Sequence, residues 1–413
     1  MKRVLMIAYH FPPLAGSSGI QRTLRFAKYL PEFGWTPMVL TAHPIAYEQT
    51  SPDQLGEIPA GTTVSRAPAL NTARHLSIKG RYPQCLALPD RWATWWLGAI
   101  LPGLWMIRQH RPDLIWSTYP IATAHKIGGT LHRLTGLPWV ADFRDPMVEA
   151  NYPRDPVVRE SYRRIEAYAV NHAALSVCTS PGNIRLYSER YPHRADRLNL
   201  IENGYDEECF EGLAPGGEPL NPGKLTLLHS GIAYPSERNP THFFAALRRL
   251  RETHALSPER FVVRFRAPAH EAPLLAIAEQ QGVRDFIEIA PPVPYRDALA
   301  EMMRADLLLI MQAGNCNDQI PAKFYEYLRA GRPILGLTDP RGDTARALAA
   351  AGVELVAPLD DTAAIAALLA RITDTGATPP SPSATTIQAA SRRNRTARLA
   401  EHFDALYARK ASA

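Results

Sequence analysis

Apolar runs of strand length recur along the chain, and stretches with helical spacing separate them. Residues 3–9 (RVLMIAY) are almost wholly apolar, the pattern of a strand covered on both faces. A loop, HFPPLAGSSG, follows. Ile20, Leu24 and Ala27 then recur at helical spacing up to a stop at Gly34. Further strands are expected at 36–42, near Val64, and at 113–119, 138–143, 175–180 and 198–204, with a helix over 156–172. Residues 43–90 are proline-rich and otherwise aperiodic. A polar, Gly/Pro-rich stretch at 211–224 reads as a linker. A second series follows, with strands at 225–231, 261–267, 286–292, 306–312, 333–338 and 353–358. Its helices are expected from Pro240, near 271–281, 295–304, 321–330, 343–351 and 361–373. A loop over 373–386 and a basic amphipathic helix from about 387 to 410 complete the chain. Strands alternating with helices predict parallel sheets. The expected architecture is α/β, with two Rossmann-like, doubly wound domains facing a central cleft. The first covers 1–210, with the helix from about 387 to 413 packing back on it, and the second covers 211–386.

Composition narrows the function classes. The chain has 413 residues, is 46% hydrophobic and 21% charged, and so has the profile of a globular protein. A formal charge of +6 suits anionic ligands or an anionic membrane surface. No run of Lys/Arg with interleaved aromatics points to nucleic acid. Cys85, Cys178, Cys209 and Cys316 form no CxxC pair, which argues against a zinc site or redox dithiol and fits a reducing cytoplasm. The first apolar run is too short for a signal sequence and is cut by His10, Pro12 and Pro13. The most apolar stretch, WWLGAILPGLWMI at 95–107, is shorter than a membrane span and reads as a buried or interfacial helix.

In open α/β sheets, ligands bind beyond the carboxyl ends of strands, where helix N-termini point. Three places meet that description. The AGSSG loop (15–19) has small residues that let backbone N–H groups approach a ligand, or it is a plain surface loop. In HSGIAYPSERNPTHF (229–243), Gly231 follows a strand, Asn239 and Pro240 open a helix, and Arg238 stands beside it. A cation next to unpaired N–H groups can hold a diphosphate, and an arginine on an exposed loop is the bland alternative. In NDQIPAKFYEYLRAGRPIL (317–335), Pro321 fits a first helical turn, and N–H groups around Asp318, Gln319 and Ile320 are expected to lack helical partners. Phe324 and Leu328 face a core, and Glu326 lies on another side. A carboxylate there can accept two ribose hydroxyls, and Asp318 can do the same for a sugar. Read blandly, Glu326 is a solvated helix residue and Asp318 a cap.

IPAKFYEYLRAGRPIL resembles the E-x7-E helix of GT-B glycosyltransferases, glycosyltransferase family 4 in particular. NGYDEECF (203–210), HSGIAYPSERNP (229–240), WVADFRDPM (139–147) and GSSGIQR (16–22) follow in the family's order and at similar intervals. The resemblance implies a retaining transfer from a nucleotide diphosphate sugar, with no cofactor and no metal. It places the nucleotide ribose on Glu326, donor-sugar hydroxyls on Asp318, and the diphosphate on Arg238 and on backbone N–H groups of Gln319 and Ile320. Gly231 falls in the same donor site, and Gly19 in a loop that closes on the diphosphate. Arg144 and Asp145 stand where many members have His-Asp, as candidate catalytic residues with Asp318 and Arg238. The chain departs from the family in having Asp at 318, one methylene shorter than Glu. It also lacks a second cation near Ala233 or Tyr234. No DxD motif stands in a suitable loop.

The first half would bind the acceptor, a glycan, a lipid-linked or a small-molecule acceptor, in polysaccharide or cell-surface glycan assembly. Trp92, Trp95, Trp96 and Trp105 lie there, for sugar stacking, core packing or a membrane interface. RHLSIKGR (74–81) can meet anionic lipid or be a solvated loop, so the expected location is cytoplasmic with peripheral inner-membrane contact possible. A GT-B-like sugar epimerase or phosphorylase, and a non-catalytic GT-B-shaped subunit, are the alternatives.

Overall fold

The strand-length apolar runs of the first half enter one parallel sheet, because side chains of a doubly covered strand meet helices on both faces, whereas the longer run at 95–107 is helical. The computed structural model describes residues 2–17, 19–150, 152–213, 216–374 and 381–411. Ser18, in the AGSSG loop, and parts of both expected linkers lie outside the described residues. The chain divides into two units, Met1–Glu202 with Arg392–Ala413, and Asn203–Ser391.

The first unit runs β1 (Lys2–Ile7), α1 (Gly19–Tyr29), β2 (Trp35–Ala42), β3 (Thr63–Ala67), α2 (Thr72–His75), α3 (Thr94–His110), β4 (Leu114–Thr118), α4 (Ala122–Thr135), β5 (Trp139–Arg144), α5 (Pro156–His172), β6 (Leu175–Cys178), α6 (Pro181–Arg190) and β7 (Leu198–Leu200). The strand order is β3-β2-β1-β4-β5-β6-β7. Every pairing is parallel. The second unit runs β8 (Leu225–Ser230), α7 (Thr241–Glu252), β9 (Phe261–Arg266), α8 (Glu271–Gln280), β10 (Ile287–Ala290), α9 (Tyr295–Arg304), β11 (Leu307–Gln312), α10 (Lys323–Ala330), β12 (Ile334–Thr338), α11 (Asp343–Ala350), β13 (Val356–Ala357), α12 (Thr362–Asp374) and α13 (Ala384–Ala389). Its parallel sheet has the order β10-β9-β8-β11-β12-β13. Both sheets reverse direction beside their first strand, the arrangement of a doubly wound dinucleotide-type fold.

Three boundaries differ from the sequence reading, each for a local reason. The seventh strand stops at Leu200 rather than 204, because Arg22 takes the carbonyls of Ile201 and Glu202 at 3.0 and 3.2 Å. The division between units falls at 202/203 rather than 210/211. Tyr205 and Phe210 are buried in a cluster with Leu299, Met302 and Leu328 of the second unit. The final helix is broken into α13 and α14 (Arg392–Ala411). Ser383 caps the short first piece by accepting from Thr386 N–H at 3.2 Å. The longer α14 returns to the first unit, where Leu399 and Phe403 are buried and Trp35 donates to Asp404 at 2.8 Å.

The tryptophans separate by environment. Trp95 is wholly buried. Trp92 and Trp96 are half-buried, with their indole N–H groups donating to Ala46 C=O at 3.2 Å and Thr130 Oγ1 at 3.0 Å. Trp105 alone of the four is mostly exposed.

His125 of α4 is buried, its Nδ1 lying 2.8 Å from Ser117 Oγ, and burial lowers its pKa to about 4. The unfolded chain therefore binds a proton that the folded chain refuses between about pH 6.5 and 4. Stability should fall as pH drops through that window, by about 1.4 kcal/mol per unit, on the order of 3 kcal/mol in all for this group. Urea melts at pH 7 and 5 should differ less for His125→Gln than for the parent, and an unchanged difference would refute the assignment.

Candidate functional site

In the second unit, β8 and β11 are neighbours whose following segments leave the sheet on opposite sides, which opens a crevice beyond their carboxyl ends. Gly231 follows β8 at φ +93°, a left-handed conformation that favours glycine. The loop after it folds back on itself. Arg238 donates from its backbone N–H to Tyr234 C=O at 2.8 Å and from its guanidinium to Ile232 C=O at 2.6 Å. The guanidinium also sits 5.2 Å from the centre of the Tyr234 ring.

A second cation reaches the same strand end from α10. The helix is oriented by Tyr327, whose hydroxyl accepts the Ser230 N–H at 2.9 Å. That contact places Lys323, one turn earlier, with Nζ 2.9 Å from Nε2 of the buried His229. Burial first, and then the Arg238 charge, hold the Lys323 pKa well below its usual value, while Glu326 acts in the opposite direction. Burial, then Lys323 and Arg238, likewise keep His229 neutral. Lys323 is therefore a second basic side chain at this strand end, where the loop near Ala233 and Tyr234 supplies none. Sequence reasoning passed over it, because a lysine on a short helix reads as a solvated one.

Glu326 lies half-buried on α10, and its Oε1 accepts from the Tyr295 hydroxyl at 2.7 Å. Tyr295 opens α9, another contributor that the sequence did not reveal. The helix itself begins at Lys323, not 321. Pro321 and Ala322 carbonyls accept from Phe324 and Tyr325 N–H at 3.0 and 3.2 Å, the three-residue spacing of a tightened first turn. Upstream, Gln312 at the end of β11 gathers the loop by donating to Cys316 C=O at 2.7 Å and Gln319 C=O at 3.1 Å. Asp318 is exposed on that loop, and Ile320 is half-buried. The Gln319 N–H donates to Cys316 C=O at 3.0 Å. This corrects the expectation of an unpaired amide at 319, since the loop uses that donor for its own turn.

The first unit has its own crevice where β1 and β4 diverge. Gly19 opens α1 with His10 and Arg144 against it. A Cβ at 19 would lie 2.1 Å from His10 Nδ1 and 3.1 Å from an Arg144 guanidinium nitrogen, so no larger residue fits unless both move. Arg144 donates to Gly19 C=O at 3.1 Å. Its backbone is left-handed, at φ 58°, at a bulge where β5 changes register against β6. Thr179 and Asn183 both donate to its carbonyl, the latter at 2.8 Å. Two residues earlier, the buried Asp142 accepts from Arg22 at 2.7 and 2.9 Å and from Thr118 at 2.7 Å, which fixes the end of the strand. His10 has its pKa lowered to about 3 by burial and then by Arg144, so its imidazole is neutral and its Nδ1 has no hydrogen-bond partner. Asp145 is exposed beyond the bulge. Among the described residues no three His, Cys, Asp or Glu side chains converge as a metal site.

Residues 18–204 match the glycosyl transferase 4-like domain. A sequence search of curated proteins finds no match. Among solved structures, HepE of Anabaena in complex with UDP-glucose superposes with a TM-score of 0.64 at 14% identity, over 98% of this chain and 100% of that one. Sucrose-phosphate synthase of Thermosynechococcus elongatus gives 0.60 at 13% identity, over 100% and 98%. A UDP-forming α,α-trehalose-phosphate synthase of Burkholderia xenovorans, bound to glucose-6-phosphate, gives 0.61 at 14%, over 98% and 99%.

Proposed function

We propose that this chain, which has the GT-B fold and matches a glycosyl transferase 4-like domain over residues 18–204, is a glycosyltransferase that moves a sugar, with retention, from a uridine diphosphate sugar to a glycan or lipid-linked acceptor in cell-surface glycan assembly. One observation carries the donor assignment. Arg238 and Lys323 act together at the carboxyl end of β8, and Lys323 is held in a site that disfavours its own charge. An anion restores that charge, and a diphosphate is the anion such a crevice admits. The choice of uridine rests on neighbours in fold, HepE described with UDP-glucose and a synthase described as UDP-forming.

In this reading the sugar–phosphate bond breaks and negative charge grows on the departing β-phosphate. Lys323 and Arg238 stabilise that charge from fixed positions, as does the N-terminus of α10. Gly231 leaves room for the phosphates. Glu326 accepts the ribose hydroxyls while the Tyr295 hydroxyl orients its carboxylate, and Asp318 accepts hydroxyls of the donor sugar. Ile320 lines the phosphate end, and Gln319 contributes position rather than its amide. In the first unit, Gly19, Arg144 and Asp145, with His10, form that unit's own candidate site.

The test is a thermal-shift panel of UDP, GDP, ADP and dTDP with the full chain. A ligand at a hundred times its dissociation constant adds about 2.7 kcal/mol, so UDP should raise Tm by roughly 5 °C or more. No response to any of the four would defeat the donor assignment.

A further inference from the structure

Among the described residues, the four most exposed large apolar ones all lie in the connection from β3 to β4: Ile78 at 80%, Leu101 at 76%, Leu97 at 69% and Trp105 at 60%. Three of them fall on α3 at intervals of four residues, so they form one stripe. Its inner stripe, Trp95, Ala99 and Gly103, is buried two residues earlier at each step. Two residues turn a helix by about 200°, so Leu97, Leu101 and Trp105 point directly away from the core. A surface helix ordinarily has polar residues there.

Charge follows the same segment. The connection, residues 68–113, holds six Arg or Lys and two acids, Asp90 and Asp113, a net of +4 against +6 for the whole chain, and Asp113 accepts from the Arg3 N–H at 2.9 Å. Asp90 is turned inward, accepting from Thr123 N–H and Oγ1 at 2.8 Å each. Arg91 is paired with Glu48 and Arg74 donates to Tyr47 C=O at 2.8 Å, which leaves Lys79, Arg81, Arg108 and Arg111 as the cations of this connection that enter the argument. Neither α3 nor the adjoining α4 contains an Asp or Glu. Arg108 continues the apolar stripe one turn beyond Trp105.

We propose that the outer face of α3 is a docking surface for an anionic lipid bilayer, with Leu97, Leu101 and Trp105 entering the interface and Arg108 and Arg111 meeting headgroup phosphates. Large apolar side chains next to cations, with acids excluded, are what an anionic interface selects. Tryptophan settles at the boundary between headgroups and acyl chains. A second copy of the chain fits less well, since joining two such faces sets cations against cations. No helix among the described residues is long and apolar enough to span a membrane, so the contact is peripheral. The proposal does not depend on the donor assignment.

Co-sedimentation of the full chain with vesicles tests it. The chain should pellet with phosphatidylcholine vesicles containing phosphatidylglycerol, stay in solution with phosphatidylcholine alone, and be largely released by about 1 M salt. Each cation near such a surface is worth about fivefold in affinity, so Arg108→Gln with Arg111→Gln should weaken binding roughly thirtyfold. Leu101→Glu with Trp105→Glu should weaken it at least about tenfold. Both variants change exposed residues and should keep the parent Tm and response to UDP. The wild-type lipid and salt dependence stands as a test even if a variant misfolds. Absence of pelleting with anionic vesicles, equal pelleting with both vesicle types, or wild-type affinity in both variants overturns the proposal. So does a concentration-dependent dimer that Leu101→Glu dissolves while vesicles remain unbound. Vesicle binding without any UDP response would overturn the donor reading and leave this one standing.

Discussion

Lys323→Met should lower kcat by about 10²–10³-fold, because it removes a preorganised cation from the position where phosphate charge develops. The same variant should melt at the parent temperature or above it. Burial and Arg238 together disfavour charge at Lys323 in the empty site, so replacing it by an apolar residue of similar length relieves a cost rather than creating one. Loss of activity with unchanged or raised Tm separates a binding cation from a structural one. A drop in both would reduce Lys323 to a packing residue. Wild-type UDP binding should also depend on pH in a defined direction. A lysine whose pKa is depressed in the empty site and restored by an anion takes up a proton on binding. UDP affinity should therefore weaken as pH rises above the depressed value, and isothermal titration in two buffers of different ionisation enthalpy should show proton uptake at high pH. The methionine variant should lose that uptake.

The alternation of strands and helices was open to sequence reading because a parallel strand covered on both faces is a continuous apolar run, and each sheet here is built from such runs. LLLIMQ (307–312) and ILGLT (334–338) are buried throughout their length. Boundaries were harder to read where side chains replace backbone partners. Arg22 ends the seventh strand by capturing two carbonyls from a helix more than 170 residues away in sequence, and no local pattern announces that. The chain's acidic candidates were visible because an Asp and a Glu eight residues apart bracket a helix start, and the family resemblance gave them roles. The basic partner was not. Lys323 becomes distinctive only when Tyr327 ties α10 to β8 and brings the ammonium under His229. His10 was hidden for the same reason. Its neighbours, Gly19 and Arg144, come from a helix start and a strand bulge, and only the glycine left a trace in composition. The Gln319 amide erred in the other direction. An N–H ahead of a helix is unpaired in principle, but here the preceding loop closes a turn on Cys316 and uses it.

Glu326→Ala should abolish measurable transfer, with kcat/KM down by about 10²–10⁴-fold. Each hydrogen bond from a hydroxyl to a carboxylate is worth about 1.5–3 kcal/mol, and two hydroxyls of a ribose are at stake. Glu326→Gln keeps the shape and one acceptor oxygen, and it should recover part of the loss. Tyr295→Phe provides the control for position against contact. Its hydroxyl donates to the carboxylate, at 2.7 Å from Oε1, so its removal frees a rotamer of Glu326 without removing an acceptor. The effect should be about tenfold, mostly in KM, with kcat preserved once donor is saturating. The ordering Glu326→Ala, then Glu326→Gln, then Tyr295→Phe follows from counting acceptors at the ribose, and it distinguishes a ribose clamp from a solvated helix carboxylate. A solvated carboxylate would give three variants near wild-type activity. If Glu326→Ala turned over donor at the parent rate, the nucleotide would have to lie elsewhere in the second unit. Lys323 and Arg238 would then need another anion to account for their placement.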